Sequence, residues 1–320
     1  MTRAEELRKF VYEKAEMGLP FRVSLYAAEE AVAKAGADAA FARIAELNAV
    51  MSDYDSESEL SRLARTTGVA VPVSTALWKV LAHAQAVAER SDGAFDITVG
   101  PLVNVWRRAR RTQTLPDGAL LAEMRVRVGW KKLRLDPERH TAELRAPDMR
   151  LDLGAIAKGF ACDEALAVLK ARGLSRALVG GSGDMAAGDA PPDQPGWRIE
   201  VAPLDAPDAP PPQIVWLKNC GIATSGDVFQ RVEIAGQRYS HIVDPHTGLG
   251  LTDHSLVTII APDGITADAL STAVSVLGPE RGLQLVEETP GTAAHLVRKP
   301  AEKIEFLESA RWRDVPKAHP

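Results

Sequence analysis

Residues 151–160, LDLGAIAKGF, place one carboxylate and one ammonium at an apolar junction between a predicted strand and a predicted helix. Gly154 permits a sharp turn, and a helix that begins near residue 155 has unpaired N–H groups in its first turn. Such a terminus binds anions, and Lys158 lies close to it. The junction is therefore a candidate phosphate site. The residues alone equally allow an ordinary helix start, with Asp152 as a cap and Lys158 solvated.

Hydrophobic periodicity on both sides of this junction predicts strands and helices in mixed order. Helices are predicted in the charged segment 1–20 and at 28–51, 75–90, 101–110, 117–125, 155–171, 265–278 and 279–288. Strands are predicted at 21–26, 128–135, 140–145, 150–153, 176–179, 197–201, 213–217, 221–225, 237–243, 255–261, 293–297 and 302–306. Neighbouring strands with segregated helices indicate an α+β fold with mixed or largely antiparallel sheets.

The length and composition are typical of a globular protein, with 46% hydrophobic and 25% charged residues among 320. We expect one domain over residues 1–320, or two closely joined lobes, with the proline-rich segment 203–212 as a surface loop. A net charge of −5 gives no basic footprint for nucleic acid. Without an apolar run of about 18 residues, no membrane span is expected.

Four further segments place acids or hydroxyls beside glycine or other small residues: GAFDITVGP at 93–101, GGSGD at 180–184, HIVDPHTG at 241–248 and ADALST at 267–272. The second overlaps a GxGxxA pattern that follows an apolar strand, which is typical of dinucleotide-binding loops. The prolines and glycines after residue 187 cannot form the helix that such a loop requires. The pattern is therefore not interpreted as a dinucleotide site.

Two of these segments carry candidate site residues. Asp268 and Thr272 are four residues apart, so their oxygens share one face of an apolar helix, as suits a hard cation such as Mg²⁺. The alternative is an acid that complements the helix dipole and a threonine bonded back to a carbonyl. His241 and Asp244 flank a turn and are suited to proton transfer, or to a hydrogen-bonded histidine and a structural Asx turn.

Together with Met17-Gly18 and the acidic segment 52–60, these segments resemble the FAD:protein FMN transferase family, the ApbE family, from about Met17 to Gly278. The resemblance implies an ApbE-like fold and an enzyme that transfers FMN from FAD to a Thr or Ser hydroxyl of a partner flavoprotein. It implies magnesium dependence, release of AMP, and an acceptor that is a subunit of a membrane redox complex.

The resemblance also implies the roles of individual residues. Magnesium ligands are expected from Asp268, Thr272 and the main-chain carbonyl of Ala155, and the proton acceptor is His241 or Asp244. Contacts to FAD are expected from Met17, Tyr54, Ala94, Phe95, Asp96, Asp152, Lys158 and Ile242. For the apolar and aromatic members of this set, the alternative is core packing, and for Asp96 it is a turn acid.

Two other functions stay open at the level of the sequence. Water in place of the acceptor hydroxyl would make the protein an FAD pyrophosphatase that yields FMN and AMP. A non-catalytic FAD-binding protein would hold the flavin without releasing AMP. Location also stays open, because many family members are exported lipoproteins: the chain acts in the cytoplasm, or outside it after loss of a leader.

Overall fold

A computed structural model describes residues 6–206, 208–209, 211–228, 230–300 and 303–318. The strands in this part of the chain are β1 (Arg8–Glu16), β2 (Leu19–Ala27), β3 (Val71–Pro72), β4 (Leu133–Asp136), β5 (Thr141–Leu144), β6 (Ala177–Gly181), β7 (Asp184–Ala187), β8 (Trp197–Glu200), β9 (Ile214–Leu217), β10 (Cys220–Gly226), β11 (Arg231–Ile234), β12 (Gln237–Ser240), β13 (Ser255–Ala261), β14 (Ala293–Arg298) and β15 (Glu305–Glu308). The α-helices are α1 (Glu30–Met51), α2 (Glu59–Leu63), α3 (Thr75–Arg90), α4 (Gly100–Thr112), α5 (Gly118–Arg125), α6 (Ala157–Ala171) and α7 (Gly264–Glu287).

Eight strands form the main sheet, in the order β1-β2-β6-β7-β10-β13-β14-β15. Every neighbouring pair in this sheet is antiparallel. Three smaller sheets, β3-β5-β4, β8-β9 and β11-β12, surround it. The predicted α+β class with largely antiparallel sheets is therefore confirmed.

Alternation along the strands builds a layer on each face of the main sheet. On β2, Phe21, Val23 and Leu25 are buried in the largest hydrophobic cluster, together with side chains of α1, α6 and α7. Tyr26 joins the cluster of the opposite face, where its ring lies 5.9 Å from that of Trp197 on β8. The helices thus cover one face and the β8-β9 hairpin covers the other. No helix in the described residues is long and apolar enough to cross a membrane.

A separate cluster around Trp106 joins α4 and α5 to the β11-β12 hairpin. The indole N–H of Trp106 donates to the carbonyl of Gly248 over 2.9 Å, within the loop that follows β12. Burial of a large aromatic side chain contributes several kcal/mol at most, roughly 25 cal/mol for each Å² of apolar surface. This packing holds the loop 241–250 against α4, which fixes the position of His241.

The N-terminal helix predicted for residues 1–20 is wrong. Residues 8–16 form β1, which pairs with β2 along its whole length, and residues 1–5 lie outside the described part of the chain. Phe10 and Tyr12 turn towards the core, while Lys9, Val11 and Glu13 alternate with them and are exposed. A sheet edge tolerates such charges, and pairing with β2 outweighs the local helix propensity.

Other element predictions need smaller corrections. Residues 150–153 form no strand, because Arg150 makes only a single parallel bridge to Val99. The strand predicted at 128–135 begins at Leu133, after a 3₁₀ turn over Trp130–Lys132. The two helices predicted at 265–278 and 279–288 are both present: they adjoin within α7, which is interrupted at Gly278, where φ is +74° before Pro279. The break is where a proline removes a helix hydrogen bond.

Helices α6 and α7 approach each other closely at two glycines. A Cβ atom at Gly159 would overlap the carbonyl oxygen of Gly264 and press on Cβ of Asp268. Only a residue without a side chain fits this crossing. The contact brings the first turn of α6 beside the first turns of α7.

We predict that Gly159→Ala destabilises the fold by about 1–3 kcal/mol, as expected when a methyl group meets backbone that cannot move aside. The matched control is Gly118→Ala in the first turn of α5, where nothing lies within 4 Å of the added Cβ. There, alanine should be neutral or stabilise by up to about 1 kcal/mol. Urea unfolding of both variants measures the difference, and equal stabilities would contradict the close approach.

Candidate active site

Lys158, in the first turn of α6, lies between two buried carboxylates. Its Nζ is 3.0 Å from Oδ2 of Asp184 and 3.3 Å from each carboxylate oxygen of Asp268. It also donates to the carbonyl of Gly154 over 2.8 Å. The ammonium therefore has acceptors from three segments of the chain.

Different elements supply the two acids. Asp184 is the first residue of β7, directly after the tight turn at Ser182, and Asp268 lies in the second turn of α7. Only 3% of Asp184 and 2% of Asp268 are exposed. The N–H of Gly159 donates to Oδ2 of Asp268 over 3.0 Å, which satisfies part of this buried charge.

Charge and burial act together on this cluster. Removal from water raises the pKa of Asp184 to about 7, with the neighbouring charge of Asp268 as the second cause. Burial acts to lower the pKa of Lys158, but ion pairs with Asp184 and Asp268 outweigh it and raise that pKa above its usual value. Lys158 is therefore charged, and two carboxylates share a single ammonium. When both carboxylates are ionised, their negative charge exceeds the positive charge of the ammonium, which favours the binding of another cation.

The donor atoms beside Asp268 fit a magnesium ion. Thr272 Oγ1 lies 3.2 Å from Oγ of Ser225 on β10, and Ser225 Oγ lies 2.7 Å from Oγ of Ser271. These oxygen donors and the carbonyls of the turn before α6, which includes Ala155, are of the hard type that Mg²⁺ prefers. Among the described residues, no group of three His, Cys, Asp or Glu side chains could hold a metal ion alone. A site built on Asp268 therefore needs carbonyl, hydroxyl and substrate oxygens.

A second charged cluster lies at Asp152, before the same turn. Asp152 Oδ1 accepts from the N–H of Gly154 over 2.8 Å, and its Oδ2 accepts from Arg107 of α4 over 2.9 Å. Arg107 also pairs with Asp53, and its guanidinium carbon lies 4.5 Å from the ring centre of Tyr54. Desolvation and the charge of Asp53 raise the pKa of Asp152. The Tyr54 ring, on a residue that is 79% exposed, has one face covered by Arg107.

Several predicted FAD contacts are engaged within the protein. Asp96 Oδ1 accepts from the N–H and the hydroxyl of Thr98, and Phe95 is buried in the main core, so their side chains match the alternatives of turn acid and core residue. Ala94 and Ile242 are also buried. Met17, with φ of +50°, lies in the turn between β1 and β2, partly buried against the same core.

The geometry distinguishes the two candidate proton acceptors. His241 Nδ1 lies 3.1 Å from the carbonyl of Gln230, and since a carbonyl only accepts, Nδ1 carries the proton and Nε2 has a free lone pair. Both carboxylate oxygens of Asp244 instead accept within their own turn, from the N–H of His246 and the hydroxyl of Thr247. Asp244 therefore matches the structural Asx turn.

His241 shares the cleft with Lys158. Removal from bulk water is the main reason that the pKa of His241 is lowered to about 4; the hydrogen bond to Gln230 opposes this shift, and the charges of Lys158 and Arg110 contribute to it. The side chain is nevertheless exposed to solvent. The imidazole is therefore neutral at neutral pH, and the positive charge of Lys158 acts on it.

The structure thus places Asp152 and Lys158 at the turn around Gly154 and pairs Lys158 with Asp268, and the charge of Lys158 acts on His241. Thr272 contacts Ser225 on β10. The sequence had not identified Asp184 and Arg107 as site residues. The only signal for Asp184 was its position in the GGSGD segment, which the structure shows to be the β6-β7 hairpin rather than a dinucleotide loop. Arg107 had no signal beyond being one arginine among several on α4.

Solved structures share this architecture. The flavin transferase ApbE from Vibrio cholerae aligns with a TM-score of 0.87 at 27% identity, covering 97% of this chain and 100% of that one. The apo form of Pseudomonas stutzeri flavinyl transferase ApbE aligns with a TM-score of 0.86 at 28% identity, over 100% of both chains. The fold therefore has the architecture of these α+β flavin transferases.

The sequence comparisons agree. The model of the ApbE family matches residues 17–296, and the chain belongs to this family. The FAD:protein FMN transferase of Haemophilus influenzae is 35% identical over 251 residues, 76% of this chain and 72% of that protein. The FAD:protein FMN transferase of Klebsiella pneumoniae is 32% identical over 311 residues, 95% of this chain and 88% of that protein.

We predict that Arg107→Met destabilises the protein by about 1–3 kcal/mol, because it leaves the carboxylate of Asp152 without its cation in a largely buried position. Adding Asp152→Asn should recover part of that loss, since the uncompensated charge is then gone. The control is Arg22→Met, whose ion pair with Glu13 is exposed and whose loss should change stability by about 0.5 kcal/mol or less. Denaturant unfolding of the four proteins tests this, and a double variant no more stable than Arg107→Met contradicts it.

Proposed function

We propose that this protein transfers FMN from FAD to a threonine or serine hydroxyl of a partner flavoprotein and releases AMP, with Mg²⁺ as the metal. The observation that carries the proposal is the Lys158 cluster: an ammonium and a helix N-terminus beside buried oxygen donors, in a chain of the ApbE family. The names of the relatives support the donor and the group transferred. For the acceptor we propose a subunit of a membrane redox complex.

The reaction requires positioning and neutralisation of phosphate charge more than covalent help from the protein. The bond between the FMN phosphorus and the bridging pyrophosphate oxygen breaks, a bond from the acceptor oxygen to that phosphorus forms, and AMP leaves with the bridging oxygen. Lys158 binds the pyrophosphate at the start of α6, where its ammonium and the positive end of the helix dipole attract the anion. Asp268, Thr272 and the carbonyl of Ala155 would hold Mg²⁺, which supplies further charge neutralisation at the phosphate oxygens.

His241 is the proposed proton acceptor for the acceptor hydroxyl. Its Nε2 is unprotonated and its position in the cleft leaves it open to an incoming protein chain. Asp244, the other candidate, holds the turn that follows His241, and we propose for it a positioning role. A neutral base near the phosphorus can take the proton as the new bond forms.

The flavin nucleotide would lie along the turn between the two charged clusters. The exposed ring of Tyr54 offers a flat apolar surface, and Asp152 accepts hydrogen bonds beside it. Main-chain groups of Ala94, Phe95 and Asp96, together with Met17 and Ile242, complete the proposed contact set. Their side chains, where buried, would shape the pocket wall.

The test is incubation of the purified protein with FAD and a threonine-bearing acceptor domain, with and without Mg²⁺. Mass spectrometry of the acceptor and chromatography of the nucleotides follow the products. We expect the acceptor to gain FMN less water, and AMP to appear, only with Mg²⁺. FMN and AMP without acceptor modification would establish a pyrophosphatase instead, and unchanged FAD would leave only a binding role.

The same assay with Asp268→Ala tests the metal assignment. Transfer should be abolished while far-UV circular dichroism shows a folded protein. Asp38→Ala, which removes an exposed acid on α1, is the control and should transfer FMN as the native protein does. Full activity of Asp268→Ala with Mg²⁺ contradicts the assignment of this residue as a metal ligand.

The low pKa of His241 determines the pH dependence that we expect for the reaction. Since the pKa of His241 is lowered to about 4, its base form persists well below pH 6.5, and kcat/KM should fall only as pH approaches 4.

His241→Ala should lose about 10²–10⁴-fold in rate. His246→Gln, which removes the exposed neighbouring histidine, should change the rate little. An active His241→Ala variant would falsify the assignment, and so would an acid limb near 6.5 that persists in Asp184→Asn, which removes the acid whose pKa is about 7.

A further inference from the structure

Lys158 forms an ion pair with Asp268, the carboxylate that the proposed function assigns to magnesium. Its ammonium contacts both oxygens of Asp268 at 3.3 Å, and one of them also accepts from the N–H of Gly159. A metal ion bound to the Asp268 carboxylate would lie next to the Lys158 ammonium. The two positive charges would repel each other strongly, because the site is shielded from water. Lys158 and a divalent cation are therefore competitors for Asp268.

Asp184 gives Lys158 an alternative partner. Its Oδ2 lies 3.0 Å from the ammonium, closer than either oxygen of Asp268, and it belongs to β7 rather than α7. The lysine side chain is long and flexible, so Nζ can leave one acid while it keeps the other. Removing a lysine from a buried acid is costly only if that acid is left unpaired.

We propose that Lys158 holds the place of the divalent cation beside Asp268, and that Asp184 retains Lys158 in the cleft when the cation binds. This inference rests on the metal site of the proposed function and adds a positioning role for Asp184. In the ligand-free protein, Lys158 compensates both buried acids. With the cation on Asp268, Lys158 stays paired with Asp184 and is free to turn its remaining N–H groups towards the pyrophosphate.

The experiment measures binding of Mn²⁺ alone, without nucleotide, by electron paramagnetic resonance of the free ion. Lys158→Met removes the competing charge at similar length, and we expect the Mn²⁺ dissociation constant to fall at least about tenfold, because shielded ion pairs are far stronger than exposed ones. The control is Lys79→Met, which removes a lysine 3.3 Å from Glu164 at an exposed position and should leave the affinity unchanged. Equal or weaker binding by a folded Lys158→Met variant overturns the proposal.

Lys158→Arg gives an independent measurement that does not depend on a variant with two uncompensated acids. Its guanidinium keeps the charge and grips a carboxylate through two N–H groups, so Mn²⁺ binding should weaken several-fold. An arginine variant that binds Mn²⁺ as well as the native protein contradicts the competition.

Asp184→Asn tests whether Asp184 retains Lys158 when the cation binds. With only Asp268 to pair with, Lys158 should compete harder, so Mn²⁺ binding weakens, and the loss should shrink when Lys158→Met is also present. A loss as large in the double variant would make Asp184 a direct metal ligand and overturn its positioning role.

Failure of this inference is separable from failure of the proposed function. If Asp268→Asn abolishes Mn²⁺ binding while Lys158→Met leaves it unchanged, the metal site stands and the competition is wrong. If Asp268→Asn binds Mn²⁺ as the native protein does, the metal assignment itself is wrong.

Discussion

The structure around the cleft depends on the burial of one lysine with two aspartates. Asp184 and Asp268 lie out of water on β7 and α7, and neither could be held there without the ammonium of Lys158 from α6. The three elements must therefore meet closely enough for these side chains to contact one another. The glycine crossing of α6 and α7 provides this approach, because any side chain at Gly159 would push Asp268 away. The core beneath supplies the stability, while this ion cluster makes the arrangement specific.

Much of this fold is predictable from local pattern. The helix after LDLGAIAKGF, the long helix at 30–51 and the strand at 255–261 all follow from periodicity and turn residues. Strand β1 does not, because its charged sequence becomes a strand only through pairing with β2. Within the candidate site, the predicted helix start indicates Lys158, and the resemblance to the family indicates both Lys158 and Asp268.

Partners distant in sequence were not predictable. Asp184 contacts Lys158 because the β6-β7 hairpin turns it towards α6, and nothing in its own segment indicates that partner. Arg107 matters because α4 carries it to Asp152, 45 residues away, and to the ring of Tyr54. Such roles depend on which elements pack together, and that packing is decided by the whole core rather than by the residues near the site.

The same charges also tune the proposed base. Desolvation is the main reason that the pKa of His241 is low, and the positive charge of Lys158 adds to it. A bound pyrophosphate would bring negative charge to Lys158 and cancel that second contribution. Because desolvation stays, the pKa of His241 would rise only by this smaller contribution, which makes the imidazole a slightly stronger base when the substrate is in place. In the ligand-free protein, the neutral imidazole adds no further positive charge to a cleft that has to attract an anion. In the proposed function, the lysine thus links substrate binding to the basicity of the proposed proton acceptor.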